Sequence, residues 1–346
     1  MKRKFINFPR LSKNDNYQCE IDQFVSYASA IEEIECVYQY GSINSIGLSD
    51  IDILLITRDN INAQGAALIS DLCSSLSQKN EYDICSYKVL PLSLFNKINR
   101  LGKIETRLLY GDKPIELELY DQTQSHINVF DVLDWLPERI NNIENTLQNK
   151  IINVTTLMGD LYSMAHSLRR VLFFYKNVQI KKYLDELDVL RSSWFNRDKE
   201  DSSEILLELS FSGLFMAQKE LRNFIDFLQK EDIAVFPVTH VDSYCRFHFN
   251  RDRFMSFENN LNYNSFTAPS FVGEYIKLQV NYCSGDLRNI LEKCFDFEER
   301  QSKIIFDETY LEVFKERCSL SSSIYSFIIN NKIDRRRLYR FGHLSC

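Results

Sequence analysis

Between residues 38 and 56 the chain reads YQYGSINSIGLSDIDILLI, with Asp50 and Asp52 at the mouth of an apolar run. A strand sends successive side chains to opposite faces, so Asp50 and Asp52 share one face while Ile51 and Ile53 take the other. Two carboxylates that close repel each other and resist joint ionisation unless a cation lies between them. Hard oxygen donors of this kind suit Mg²⁺, which binds one or two carboxylates together with substrate phosphates. Upstream, Gly41 lets the backbone approach a phosphate, and Ser42 adds a hydroxyl and an amide at the start of a short helix. The stretch therefore predicts a strand, a phosphate-binding turn and a second strand that together receive a metal-bound nucleoside triphosphate.

The surrounding sequence bounds the fold. A chain of 346 residues exceeds the usual single-domain size, and 45% hydrophobic with 26% charged residues is a globular composition. Only 10 glycines and 6 prolines argue for helices over an all-β or linker-rich chain. No apolar run reaches the roughly 20 residues of a membrane span, so no membrane insertion is expected. The start MKRKFINFPR has no apolar leader segment behind its basic residues. The nine cysteines are scattered, odd in number and without a CxxC pair, which fits reduced thiols in a cytoplasmic protein. A net charge of -7 gives no global attraction to nucleic acid, so any such contact is local.

Along the chain, residues 18 to 33 carry helix-like apolar spacing and IECVYQY reads as a strand. DIDILLI follows as a strand, AALISDLCSSLSQ as a helix and YDICSYKVL as another strand. After Pro91, LSLFNKINRLGKIETRLLYG is predicted as a further helix. This alternation describes an α/β unit with a mixed sheet flanked by helices. From about residue 130 helical periodicity dominates, with Pro137 suited to a first helical turn. IAVFPVTHVDSYCRFHF is the exception and reads as one or two strands or an extended insertion. The predicted division is residues 1 to 125 and a mostly α-helical domain over 126 to 346.

An apolar strand, Gly-Ser, a seven-residue spacer and Asp-x-Asp in a second apolar strand resemble the DNA polymerase beta-like nucleotidyltransferase superfamily. The resemblance covers residues 17 to 122. It implies that Asp50 and Asp52 hold two Mg²⁺ ions, for which Mn²⁺ can substitute, and that Gly41 and Ser42 hold the β and γ phosphates. It also implies a third carboxylate on a neighbouring strand. Asp83 in YDICSYKVL fills that place, with Glu116 and Glu118 in PIELELY as competitors. The implied reaction moves a nucleoside monophosphate from an NTP or dNTP to a hydroxyl and releases pyrophosphate. The family often has Arg after Gly-Ser, whereas this chain has Ile43, so a phosphate-neutralising cation must come from elsewhere. In SMAHSLRRVLFFYK, His166, Arg169 and Arg170 fall near one helical face and are the candidates, on a helical domain that closes the nucleotide cleft.

The resemblance leaves the acceptor open among nucleotides or oligonucleotides, a protein hydroxyl including one of this chain, tRNA and small molecules. The large helical portion is closer to relatives that build oligonucleotide or signalling products in bacterial anti-phage defence, which act through a partner effector protein. A catalytically silent fold serving as an antitoxin or scaffold is the competing class. His240, Cys245 and His248 include zinc-ligand types, but their spacing matches no standard site and no fourth ligand accompanies them. Trp135 and Trp194 are predicted core residues. The tail KIDRRRLYRFGHLSC gathers Arg335, Arg336, Arg337 and Arg340 around Tyr339 and Phe341, as a docked basic end or a local polyanion patch. Its Tyr339 and Ser345 hydroxyls are further candidate acceptors.

Overall fold

The structure, a computed structural model, describes residues 3–11, 14–41, 43, 45, 47–49, 51–78, 85–101, 106–112, 115–117, 124–237, 244–248, 265–294 and 301–333. Its architecture is a mixed sheet with flanking helices followed by a helical C-terminal region.

The sheet is built from β2 (Ile34–Tyr40), β3 (Ile51–Thr57), β4 (Cys85–Pro91) and β5 (Thr106–Tyr110) in the order β4-β3-β2-β5. β2 runs antiparallel to both β3 and β5, and β3 runs parallel to β4. Every residue of β3 is buried except Asp52, which is half-buried. That accounts for the unbroken apolar run: a strand covered on both faces needs no polar alternation. On α1 (Asn14–Ala28), Tyr17, Ile21, Phe24 and Ala28 recur at helical spacing and are all buried. On α2 (Ala63–Gln78), Ala66, Ile69 and Leu72 do the same.

One predicted helix is corrected. In the segment after Pro91 the described residues form the short α3 (Leu92–Phe95) and a 3₁₀ turn over Ile98–Arg100, and TRLLY becomes β5. Pairing decides this: Tyr40 lies opposite Thr106 and Tyr38 opposite Leu108, so the open edge of β2 acquires a partner. PIELELY, which holds the competitors of Asp83, is in no strand where it is described, at residues 115–117.

The helical region begins with α4 (Gln124–Gln148) and continues through α5 (Val154–Phe174), α6 (Val178–Ser193) and α7 (Lys199–Lys230). Asn153, Asn177 and Asp198 cap α5, α6 and α7 by accepting first-turn amide protons. Pro137 does not begin a helix; it lies inside α4. A proline nitrogen has no hydrogen to donate, so an interior position forfeits one helical bond. Burial of Val129, Phe130, Val132, Leu133 and Leu136 on the preceding turns outweighs that loss and carries the helix past the proline. Trp194 is buried as predicted, whereas Trp135 is half-buried beneath the Arg139 guanidinium.

Among the described residues the later helices are α8 (Phe271–Tyr282), α9 (Gly285–Cys294) and α10 (Glu308–Asn330). Short pairings join distant segments. β1 (Lys4–Ile6) lies parallel to β6 (Ile151–Asn153), and β7 (Ala234–Val235) lies antiparallel to β10 (Ile305–Phe306). Within IAVFPVTHVDSYCRFHF, β8 (Tyr244–His248) pairs antiparallel with β9 (Ser265–Pro269). Among the described residues no helix is long and apolar enough to cross a membrane. The thiols of Cys36, Cys283 and Cys318 are buried and unpaired by disulfides.

Two hydrophobic cores result, and α10 belongs to both. Its Val313, Phe314, Cys318 and Tyr325 join the helical core, while Leu320, Ile324 and Ile328 join the sheet core. Beside this double seam, the buried Arg317 donates to the Asp134 carboxylate at 2.9 Å, to Asp131 at 3.4 Å and to the carbonyl of Leu101 at the end of the 3₁₀ turn. Tyr275 donates to Asp134 at 2.8 Å, and Arg170 Nε donates to Asp131 at 2.8 Å. α4, α5, α8, α10 and the sheet region thus meet in one polar cluster. Replacing Arg317 with Met would take the guanidinium from the buried Asp134 and leave Asp131 to Arg170, so urea unfolding of the variant is expected to show a loss of about 3–5 kcal/mol.

Candidate active site

β2 ends at Tyr40, and the chain turns at once through Gly41, whose φ of +70° is a conformation that side chains disfavour. A Cβ there would meet Asp52 Oδ2 at only 3.6 Å, an ordinary contact, so backbone conformation more than space calls for glycine. Tyr40 lies directly opposite Asp52 in the β2–β3 ladder, which places Gly41 beside the carboxylate. Of the residues expected to form the site, Gly41 and Asp52 are therefore together. Ser42, Asp50 and Asp83 lie outside the described residues, as do His240, Glu118 and the tail with Tyr339, Phe341 and Ser345.

The loop between β2 and β3 is pinned at its far end. Gly47 donates its amide proton to the Tyr17 hydroxyl at 2.9 Å, and that hydroxyl donates to the Ser49 carbonyl at 2.7 Å. The Ser45 amide donates to Ser49 Oγ at 3.1 Å. Gly47 has a φ of +82°, and a Cβ there would lie 2.4 Å from the Arg10 carbonyl and 2.9 Å from the Phe195 ring. Three chain segments close on this glycine, leaving no room for a side chain.

A cation from the helical region reaches this loop. Arg191, near the end of α6, donates to Ser49 Oγ at 2.7 Å while its guanidinium lies 4.3 Å from the centre of the Tyr162 ring. Sequence reasoning passed over Arg191, because nothing local marks it: the contact spans 142 positions. Around it, Arg169 is paired with Asp188 at 2.9 Å, and Arg170 is committed to Asp131. His166 keeps part of its ring in solvent. Even so, the protein packed around it and the charges of Arg169, Arg170 and Arg191 push its pKa down to about 4, against a smaller opposing pull from Asp188. At neutral pH His166 is a neutral hydrogen-bonding group, and the cation from the helical region that contacts the loop is Arg191.

Lys88 was also overlooked. Because Asp52 is in register with Ser86 on β4, the residue two further along, Lys88, lies on the same sheet face as Asp52. It is only 7% exposed, and its ammonium lies 4.1 Å from the centre of the Tyr40 ring. Burial lowers its pKa to about 7 against the opposing charge of Asp52. The only hint in the sequence is a lysine within YDICSYKVL, and strand parity by itself does not say what it faces.

The donor chemistry of Asp52 suits a hard divalent cation: a half-buried carboxylate at a strand mouth, open toward a glycine. Among the described residues no three His, Cys, Asp or Glu side chains gather into a metal cluster. A groove of about 660 Å³ between α6 and α7, lined in part by Lys182, Asp185, Val189 and Leu209, lies on another face of α6 from Arg191 and does not reach the β2–β3 loop.

No family model matches the sequence, and no curated protein sequence is significantly similar to it. Among solved structures, it is similar to spectinomycin adenyltransferase from Enterococcus faecialis, crystallised with ATP and spectinomycin. That likeness covers 57% of this chain and 98% of the other at 12% identity, with a TM-score of 0.33. A TM-score of that size is too low to carry fold or function across.

Two outcomes are expected from this geometry. Histidine NMR titration should place His166 near pH 4, and Arg191→Ala should raise that value by removing one repelling charge. Since the folded value is depressed, the stability His166 contributes is present above about pH 6.5 and is lost as pH falls through about 4. Gly47→Ala is expected to destabilise the fold by at least about 1–3 kcal/mol in thermal or urea melts, through left-handed strain and the clash with Arg10.

Proposed function

We propose that this protein is a Mg²⁺-dependent nucleotidyltransferase. The observation that carries the reading is the pairing of Gly41, left-handed at the end of β2, with Asp52, the one residue of β3 that is not fully buried. A buried strand tolerates a carboxylate at its mouth when a charged ligand compensates it. Residues 1 to 125 are proposed as the catalytic domain and residues 126 to 346 as the helical domain that covers it.

In this reading Asp50, Asp52 and Asp83 hold the metal, and Gly41 and Ser42 receive the β and γ phosphates. Bound Mg²⁺ would neutralise phosphate charge and orient the triphosphate for in-line displacement. The acceptor hydroxyl attacks the α-phosphorus, a new P–O bond forms, the bond to the β-phosphate breaks, and pyrophosphate departs while the hydroxyl proton is lost. Asp83 is the proposed proton acceptor. Arg191 takes the part of the cation that is missing after Gly41-Ser42, since it is the helical-region arginine bonded to the motif loop. The proposed acceptor is a nucleotide or oligonucleotide, in keeping with the large helical portion. A signalling product would then act on a partner effector protein.

Purified protein incubated with each labelled NTP or dNTP and Mg²⁺ tests this. Turnover is expected with at least one nucleotide, and Asp50→Ala/Asp52→Ala should abolish it. Pyrophosphate release that persisted in the double variant would remove the site assignment, and none from wild type with any nucleotide would favour the silent class. Repeated nucleotide-sized additions to the intact mass would redirect the acceptor to the protein itself. Arg191→Ala is expected to weaken nucleotide binding about tenfold in a direct binding assay, from loss of one charge-assisted contact.

A further inference from the structure

The position of Lys88 goes beyond an ordinary buried lysine. β3 lies between β4 and β2, so Lys88 and Tyr40 stand on strands roughly 10 Å apart. Yet the Lys88 ammonium is 4.1 Å from the Tyr40 ring centre, so the two side chains meet over β3. Tyr40 is the direct ladder partner of Asp52, and all three residues share a face. The ammonium is thereby carried to the level of Asp52, where a cation serving that carboxylate would sit.

We infer that Lys88 is the resident counter-cation of Asp52, balancing its charge in the absence of a divalent ion and giving way when one binds. The inference rests on the proposal that Asp52 receives a metal. Its physical basis is competition. A half-buried carboxylate facing a sheet-covered lysine favours a compensating charge, and the lysine supplies one tethered to the next strand. A divalent ion approaching Asp52 meets this positive charge and must displace it, so Lys88 sets how tightly the metal is held. The Tyr40 ring offers the ammonium a favourable face to rest on. Lys88 is thus a positioning residue, acting through Asp52.

The sign of this effect separates it from a merely structural role. Mn²⁺ binding to the full-length, nucleotide-free protein is measured by electron paramagnetic resonance for wild type, Lys88→Met, Lys88→Gln and Lys88→Arg. Removing the charge is expected to tighten Mn²⁺ binding about tenfold, Lys88→Arg should stay near wild type, and Asp52→Asn combined with Lys88→Met should lose the gain. Unchanged or weaker binding in a Lys88→Met or Lys88→Gln protein with wild-type circular dichroism overturns the inference. A measurement on wild type needs no variant: Mn²⁺ is expected to raise acetylation of Lys88 by acetic anhydride severalfold, read by peptide mass, as the ammonium is released. No change in that labelling also overturns it. Tighter Mn²⁺ binding by Lys88→Met without nucleotide turnover in wild type would sink the enzymatic proposal alone. Turnover with unaltered metal binding would sink this inference alone.

Discussion

The cluster around Arg317 is the contact on which the arrangement of the two cores depends. A buried guanidinium is tolerated only where acceptors surround it, and here they come from α4 through Asp131 and Asp134 and from the sheet side through the Leu101 carbonyl. Because α10 packs into both cores on either side of this residue, the sheet and the helices cannot shift independently without breaking charged hydrogen bonds. Arg170 enters the same cluster through Asp131, which fixes α5 as well. The reach of Arg191 to Ser49 follows from that rigidity, since α6 packs on α5 and the β2–β3 loop is fixed to the sheet.

Around the proposed site, charge is arranged in two layers. Asp52 and Lys88 lie on the sheet, where burial makes each dependent on the other. Arg191 approaches from the helices and reaches the loop that separates Gly41 from Asp52. His166 is held neutral among nearby arginines and contributes no positive charge at neutral pH. Positive charge thus reaches the β2–β3 loop from the helical region, through Arg191.

The strands Ile34–Tyr40 and Ile51–Thr57 were legible because short runs rich in apolar and β-branched residues on either side of a glycine turn have few other solutions. TRLLY was not, because five residues of mixed polarity acquire strand geometry only when the β2 edge is present to pair with them. Pro137 misled for a related reason: local propensity assigns proline to a helix start, whereas burial of one face of α4 overrides it. Arg191 carried no signal at all, being 142 residues from its partner.

By itself the sequence determined the α/β start, the helical remainder, and the placement of Gly41 in the turn after one strand and Asp52 in the next, because each follows from short-range periodicity and turn chemistry. Only the tertiary structure decided which cations face them. Lys88 meets Tyr40 over the strand between them, and Arg191 spans from α6 to Ser49. Both contacts are set by strand order and helix packing, which no local pattern of residues specifies.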